Sequence, residues 1–319
     1  MTSPSITYSV VIPCYRSHAW LGQLVERLEQ VFHKIGESFE IILVNDASPD
    51  QTWTTIAHLA TEHNSVHGID LLFNVGQFRA TLCGMEQARG RYVLTMDDDL
   101  QHPPEEIPLL INKMQQSPDC DCVIGAFPTP QQSAWRRWGS RFSQKLNAWF
   151  YGKPPELKLS AFRLMTRITA AAICAHGTIR PVIGPLLLKC TKRIVNVDVR
   201  HDPRPSGQSG YSLSKLVRAV IDYIVAGTTV PLKFFSALGL FVSSISCLLI
   251  CYYLVMYLAN EIREPGFTTL VLLVTFFGGT ILLAVGTLGE YVIRVVQETS
   301  KSPRYIIRID TKSDSDNPS

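Results

Sequence analysis

The stretch Tyr92-Val-Leu-Thr-Met96, running into Asp97-Asp98-Asp99-Leu-Gln101-His-Pro-Pro104, decides the fold. Its first five residues read as a buried strand, and the Pro pair reads as the start of a helix. Between them stand three adjacent carboxylates that no folding requirement explains. The same beat recurs on the N-terminal side. Tyr8 to Ile12 is an apolar strand ending at Pro13, and helical spacing follows through Trp20, Leu21, Leu24, Leu28 and Val31. Phe39 to Val44 is a second strand, ending in Asn45-Asp46, and helical spacing resumes at Trp53, Ile56, Ala57 and Ala60. Ile69 to Phe73 reads as a third strand, a helix covers Gly76 to Arg89, and Cys120 to Ala126 closes the series. Strands alternating with helices predict an α/β domain with a mostly parallel sheet covered on both faces. Ligands of such sheets bind outside the carboxyl ends of the strands. Those ends carry Pro13-Cys-Tyr15, Asn45-Asp46-Ala-Ser48, Asn74-Val-Gly-Gln77 and Asp97-Asp98-Asp99, so polar loops are expected to converge on one edge.

The aspartates are the strongest chemical signal. Adjacent carboxylates repel, and a hard divalent cation, Mg²⁺ or Mn²⁺, relieves that repulsion through oxygen ligands. Side chains alternate along extended backbone, so Asp97 and Asp99 are expected on one side and Asp98 on the other. A metal there would bridge the phosphates of a nucleoside diphosphate and stabilise it as a leaving group. A solvated acidic turn before the next helix is the less favoured alternative for the triplet taken alone, and the surrounding loops decide for the metal.

Composition adds a membrane. The chain has 319 residues, 46% hydrophobic and only 18% charged, against about 25% charged in an ordinary soluble domain. Mean hydropathy is +0.12. The surplus is concentrated: no charge occurs from Phe234 to Leu258, or again from Gly266 to Gly289. Each run exceeds the roughly 20 residues needed to span a bilayer as a helix. Ala259-Asn-Glu-Ile-Arg-Glu-Pro265 joins them as a polar turn, predicting a two-span hairpin. Lys215, Arg218 and Lys233 precede it and Arg294, Lys301, Arg304 and Arg308 follow it, which places the large N-terminal part in the cytoplasm. Met1-Thr-Ser-Pro-Ser5 has no signal-peptide character. The net charge of +3 is too mild to argue for a nucleic-acid partner. Eight scattered cysteines without CxxC pairs read as reduced thiols, neither a disulfide framework nor a zinc site. A basic segment with Trp135, Trp138, Phe142, Leu146 and Trp149 at helical spacing, interleaved with Arg136, Arg137, Arg141 and Lys145, reads as a helix lying in the bilayer interface.

The run Asp97-Asp-Asp-Leu-Gln-His-Pro-Pro-Glu105 resembles the DADLQxPPE signature of inverting family 2 glycosyltransferases of GT-A fold, in particular those that load a sugar onto a polyprenyl phosphate. Val11-Ile-Pro-Cys-Tyr15, Val44-Asn-Asp-Ala-Ser48 and Asn74-Val-Gly-Gln77 match the other family loops in order. Ala161-Phe-Arg163, Arg204 with Gly207-Gln-Ser-Gly-Tyr211, Leu288-Gly-Glu-Tyr291 and Ser302-Pro-Arg-Tyr305 carry the likeness to the C-terminus. It is similar to the bacterial GtrB and ArnC type, and more distantly to dolichyl-phosphate mannose synthase. The resemblance implies a cytoplasmic GT-A catalytic domain over 1–210 that includes the interfacial helix 133–150. It further implies a juxtamembrane helix over 211–230, the hairpin over 231–297 and a cytoplasmic tail over 298–319. It implies a homo-oligomer, a tetramer, in the inner membrane, using a UDP-sugar and undecaprenyl phosphate for cell-envelope glycosylation. By the same resemblance, Pro13, Tyr15, Asp46, Gln77, Asp97 and Asp98 hold the donor. Asp97, Asp99 and Gln101 hold the metal, Asp97, Asp99 and Arg163 are catalytic, and Arg204 and Ser209 meet the acceptor phosphate. Arg137 and Arg141 of the basic segment are expected there too, with Arg163, because guanidinium groups bind phosphate bidentately.

The sequence departs from the family at three places. Arg16-Ser17 stands where Asn-Glu is usual, Gly210 stands where a Lys commonly precedes the Tyr, and Leu157 stands where the family's acidic base would fall. Glu156 would serve as that base if the loop slips by one residue. The loss is softened by chemistry, because a lipid monophosphate is largely dianionic above a second pKa near 6 and needs positioning more than deprotonation. The competing expectation is a membrane-anchored scaffold that binds nucleotide sugar without turnover; the intact Asp97, Asp99 and Gln101 set argues against it.

Overall fold

The strands at the centre of the sheet are mostly apolar and buried, because helices cover both faces and leave no wet side, and their few polar residues such as Glu40, Asn45 and Asp70 are buried with partners. β1 (Tyr8–Cys14) is buried at every position, and β2 (Phe39–Asn45) at all but its first. The structure, a computed structural model, describes residues 6–127, 156–176, 181–200, 202, 265–299 and 303–312, with single positions between 241 and 259. After β1 come α1 (Leu21–Ile35), β2, α2 (Thr52–Glu62), β3 (Val66–Leu71), α3 (Gln77–Gln87) and β4 (Tyr92–Thr95). A short 3₁₀ turn (Pro104–Glu106) leads into α4 (Ile107–Gln116) and β5 (Cys122–Ala126). β6 (Arg163–Thr166), α5 (Arg167–Ala175), α6 (Ile183–Cys190) and β7 (Ile194–Asp198) follow. The last elements are α7 (Pro265–Thr299) and β8 (Ile307–Asp310).

The sheet order is β7-β5-β6-β4-β1-β2-β3-β8. β2 and β3 lie on one side of β1 and β4 on the other, all parallel to it or to each other, so the order reverses between β1 and β4. A crevice opens at such a switch point, above the carboxyl ends of the two strands. β6 is antiparallel to β4 and β5, and β8 antiparallel to β3, so the sheet is mostly but not wholly parallel.

Alternation along β1 divides the core. Val10 and Ile12 pack with Leu24, Leu28, Phe32, Ile41 and Leu43, while Val11 packs with Ile42, Val44, Leu82 and Cys83 beneath α3. All eight cysteines are free thiols. The third strand begins and ends earlier than the apolar run Ile69–Phe73 predicts. His67 and Gly68 belong to it, while Leu72 and Phe73 leave the sheet beyond a register shift against β8 and stand exposed.

The chain forms two compact units, Met1–Ser209 with Ser302–Ser319, and Gly210–Lys301. The C-terminal residues thus return to the sheet as β8. Among the described residues no helix is long and apolar enough to cross a membrane. The backbone of α7 is one helix of 35 residues, about 52 Å at 1.5 Å per residue. The first arm of the expected hairpin is described only at single positions, and the helices expected over 133–150 and 211–230 lie outside the described residues.

Gly84 lets α3 approach the sheet closely enough to aim its N-terminus at the crevice. A Cβ there would lie 2.4 Å from Val11 Cγ1 and 3.1 Å from Val44 Cγ2. Gly84→Ala is therefore expected to destabilise the domain by about 1–3 kcal/mol through overpacking, read as a lowered midpoint in thermal unfolding.

Candidate active site

The four loops meet in an open cleft of about 460 Å³, lined by Pro13, Cys14, Tyr15, Asp46, Asn74, Gly76, Gln77, Asp97, Asp98 and Asp99. The sequence-predicted donor residues Pro13, Tyr15, Asp46, Gln77, Asp97 and Asp98 are thereby brought together, with Asp99 beside them. Every loop contains a left-handed residue: Arg16 (φ 57°), Ala47 (φ 46°), Gly76 (φ 86°) and Leu100 (φ 58°). Each non-glycine among them costs about 1–2 kcal/mol, and such strain persists only where the surroundings over-determine the backbone.

The over-determination is visible in the hydrogen bonds. Asp46, nearly fully buried, accepts Val75 N at 2.7 Å on one carboxylate oxygen and Gly76 N at 2.9 Å on the other. Its backbone carbonyl takes Asn74 Nδ2 at 3.0 Å. Burial pushes the Asp46 carboxyl up, against the two amides that favour its ionised form. Asp50 anchors the neighbouring turn. Burial raises its pKa too, but bonds from the Ser48 and Thr52 hydroxyls and His18 outweigh that and hold it well below the usual range. Arg16 N donates to Ser48 Oγ at 2.9 Å and Ser17 N to Thr52 Oγ1 at 3.0 Å, which ties the β1 loop to the β2 loop.

The three aspartates diverge. Asp98 accepts Tyr15 N at 3.1 Å, and burial pushes its carboxyl up to about 6 against the Ser17 hydroxyl and that amide. Asp97 accepts Gln77 Nε2 at 2.5 Å, and its Oδ2 lies 4.0 Å from His102 Nδ1. Asp99 accepts Gln101 N at 3.2 Å. Among the described residues no group of three His, Cys, Asp or Glu side chains converges as a metal centre. Magnesium-like ions need only one or two protein carboxylates when substrate phosphates and water complete the shell. Asp97 and Asp99, both lining the cleft, fit that role.

Behind Asp97 sits a feature that sequence reasoning assigned only by resemblance. Arg163, opposite Thr95 in the β4–β6 register, is 6% exposed, and its Nε and Nη1 have no hydrogen-bond partner among the described residues. Burial depresses its pKa, offset in part by Cys122 and Asp97. His102 was legible as part of the motif but not as a contact: its buried ring stacks on Phe127 at 5.0 Å and Phe162 at 5.5 Å. Glu156, by contrast, is exposed and does not line the cleft, while Leu157 takes the buried position beside it. Gln101 does not line the cleft either; its carbonyl accepts Asp202 N at 3.2 Å. Arg137, Arg141, Arg204 and Ser209 lie outside the described residues.

Residues 9–179 match the family model described as "Glycosyl transferase family 2". The chain belongs to that family. Its identity as a family 2 glycosyltransferase is borne out by curated relatives named undecaprenyl-phosphate 4-deoxy-4-formamido-L-arabinose transferase. One from Pseudomonas aeruginosa is 34% identical over 94% of this chain and 88% of its own length. Another, from Aeromonas hydrophila, is 33% identical over 94% of this chain and 92% of its own length. A solved structure of glucosyl-3-phosphoglycerate synthase from Mycobacterium tuberculosis, holding Mn²⁺, UDP and phosphoglyceric acid, aligns with TM-score 0.51 at 18% identity. That alignment covers 69% of this chain and 77% of that one, and shows the shared GT-A fold.

The doubly engaged carboxylate of Asp46 gives a test of the site of this glycosyltransferase. Asp46→Asn keeps one acceptor oxygen and puts an NH₂ against a backbone N–H, leaving Val75 or Gly76 unpaired. The expected cost is about 1–3 kcal/mol, measured by denaturant unfolding.

Proposed function

We propose that this glycosyltransferase moves a sugar, with inversion, from a UDP-sugar to undecaprenyl phosphate at the cytoplasmic face of the inner membrane. One observation carries the reading. A four-loop cleft with Asp97 and Asp99 at the switch point of the sheet belongs to a chain whose curated relatives, over 94% of its length, are named for transfer to undecaprenyl phosphate. Pro13, Tyr15, Asp46 and Gln77 would hold the nucleoside, with Asp98 fixing the Tyr15 backbone. When bound, Mg²⁺ or Mn²⁺ held by Asp97 and Asp99 would offset the charge that builds on the diphosphate leaving group.

The acceptor attacks the anomeric carbon through a phosphate oxygen, the bond from that carbon to the diphosphate breaks, and the nucleoside diphosphate leaves. The attacking oxygen needs little help from a base, because its phosphate is already dianionic near neutral pH. It needs a cation to bring two anions together. Arg163 is the cation we assign to this: its guanidinium lies behind Asp97, outside the cleft lining, with Nε and Nη1 unpaired among the described residues and so open to an anionic oxygen. Arg137, Arg141, Arg204 and Ser209 complete the acceptor side in this reading, and Glu156 does not act as base.

The membrane part rests on the same footing. Along α7, Leu270, Val274, Phe277, Ile281, Val285 and Leu288 are each 56–65% exposed. They recur at helical spacing within a charge-free run, a surface that water does not tolerate and lipid does. A two-span hairpin, a cytoplasmic catalytic unit and a homotetramer follow as parts of the proposal.

The decisive experiment incubates detergent-purified protein and undecaprenyl phosphate with radiolabelled UDP- and GDP-sugars plus Mn²⁺, including the UDP form of 4-deoxy-4-formamido-L-arabinose. Labelled lipid from one UDP-sugar is the expected result; none from any donor overturns the reading. Asp99→Asn should leave thermal stability nearly intact and lower turnover by about 10²–10³-fold through lost leaving-group stabilisation. Full activity in EDTA contradicts the metal.

Arg163 and Glu156 separate the two accounts of the nucleophile. Arg163→Met is expected to lower turnover by about 10²-fold or more, and Glu156→Gln by less than about threefold. Both the wild type and Glu156→Gln should show a rise in rate near pH 6 belonging to the lipid phosphate. A Glu156→Gln enzyme as impaired as Arg163→Met means that a protein carboxylate is the base.

A further inference from the structure

β8 takes no part in the chemistry above, yet one of its side chains reaches the donor loop through continuous hydrogen bonds. Arg308 donates Nε to Asp70 Oδ2 at 2.6 Å and pairs with the same oxygen through Nη2. Asp70, on β3, is 0% exposed, and its Oδ1 accepts Asn45 Nδ2 at 2.7 Å. Asn45 ends β2 and is also buried, and its amide oxygen accepts Ser48 N at 3.3 Å. Ser48 Oγ accepts Arg16 N at 2.9 Å, so the chain of bonds ends at the two left-handed turns, Ala47 and Arg16, that shape the nucleoside side of the cleft.

We propose that Arg308 is a positioning residue for donor binding: through Asp70 and Asn45 it holds the Ala47–Ser48 turn in the form that receives the nucleoside diphosphate. The proposal rests on the proposed function only in taking that loop as the donor's. Without the guanidinium, the buried Asp70 carboxylate loses the ion pair that fixes its orientation, and with it the hold on the Asn45 amide whose oxygen meets Ser48 N. One pin on the strained turn is loosened, and the donor has to order the loop as it binds. Other described contacts of the C-terminal segment end elsewhere. His67 meets Asp310, Gly68 N donates to Thr311 Oγ1 and Lys312 reaches Glu40, toward the starts of β2 and β3. Ile306 O accepts Leu72 N at the far end of β3, and Arg304 and Tyr305 meet Glu86 of α3. None of these described bonds involves Arg16, Ala47 or Ser48.

The test uses the full-length protein in detergent, titrated calorimetrically with UDP and with GDP in the presence of Mn²⁺. Arg308→Ala should raise the Kd for UDP about tenfold, the cost of ordering a loop on binding, and Arg308→Lys should recover most of it by keeping the charge. In turnover the same variant should raise the donor KM while kcat stays within about twofold. Lys312→Met, which loosens β8 at its Glu40 contact, should lower the unfolding temperature and leave the Kd for UDP unchanged. Where Arg308→Ala yields no folded protein, Arg308→Gln carries the same comparison. Wild-type affinity in Arg308→Ala, or an equal loss in Lys312→Met, overturns the relay. If the wild type binds neither nucleotide, the donor reading of the cleft falls first and the relay falls with it.

Discussion

The cleft depends on one topological constraint, the reversal of strand order between β1 and β4. Each of those strands ends in open space because the chain leaves β1 toward β2 and reaches β4 from the other side. Loops from β1, β2, β3 and β4 must then turn sharply over the same edge, and each does so through a left-handed residue. Three of those residues are not glycine, so the edge stores strain that only a dense set of polar contacts can hold. Asp46 and Asp50 supply most of them, by accepting backbone amides and hydroxyls that would otherwise be unpaired. The residues that shape the cleft and those that keep it shaped are largely the same.

This sharing of roles explains how the three adjacent aspartates coexist. Asp98 turns to the Tyr15 backbone, Asp97 to Gln77 and the neighbourhood of Arg163, and Asp99 to Gln101. Their mutual repulsion is reduced by divergence before any cation arrives. Arg163 is different: it is a buried cation whose Nε and Nη1 have no hydrogen-bond partner among the described residues, and in the proposed function the acceptor phosphate is that partner. Under the proposed transfer to a lipid phosphate, the chain's departure at Leu157 accords with this balance, because a nucleophile that arrives charged depends on a cation more than on a base.

Much of this was legible without coordinates. Apolar strands of four to seven residues punctuated by Pro, Asn and Asp announce a parallel sheet because both faces must be covered, and the loop residues at the strand ends name the edge where a ligand sits. Third-strand boundaries were misplaced because His67 and Gly68 are not apolar while Leu72 and Phe73 are, although the first pair is buried in the sheet and the second pair exposed. β6, β7 and β8 were not read as strands, since each is short and finds its partners far along the chain.

Local pattern along the chain was enough to establish strand and helix alternation, four polar loops at one edge, the aspartate triplet, and two charge-free runs long enough for a bilayer. What those residues do to each other came from the closed sheet. That Asp46 commits both oxygens to the loop after β3, that Leu157 is buried while Glu156 faces out, and that Arg308 pairs with Asp70 across 238 residues of chain are absent from any periodicity. The reason is physical. A period reports which face of an element turns inward, whereas the partner of a buried polar group is set by which distant strand lies alongside, and that is fixed only when the sheet closes.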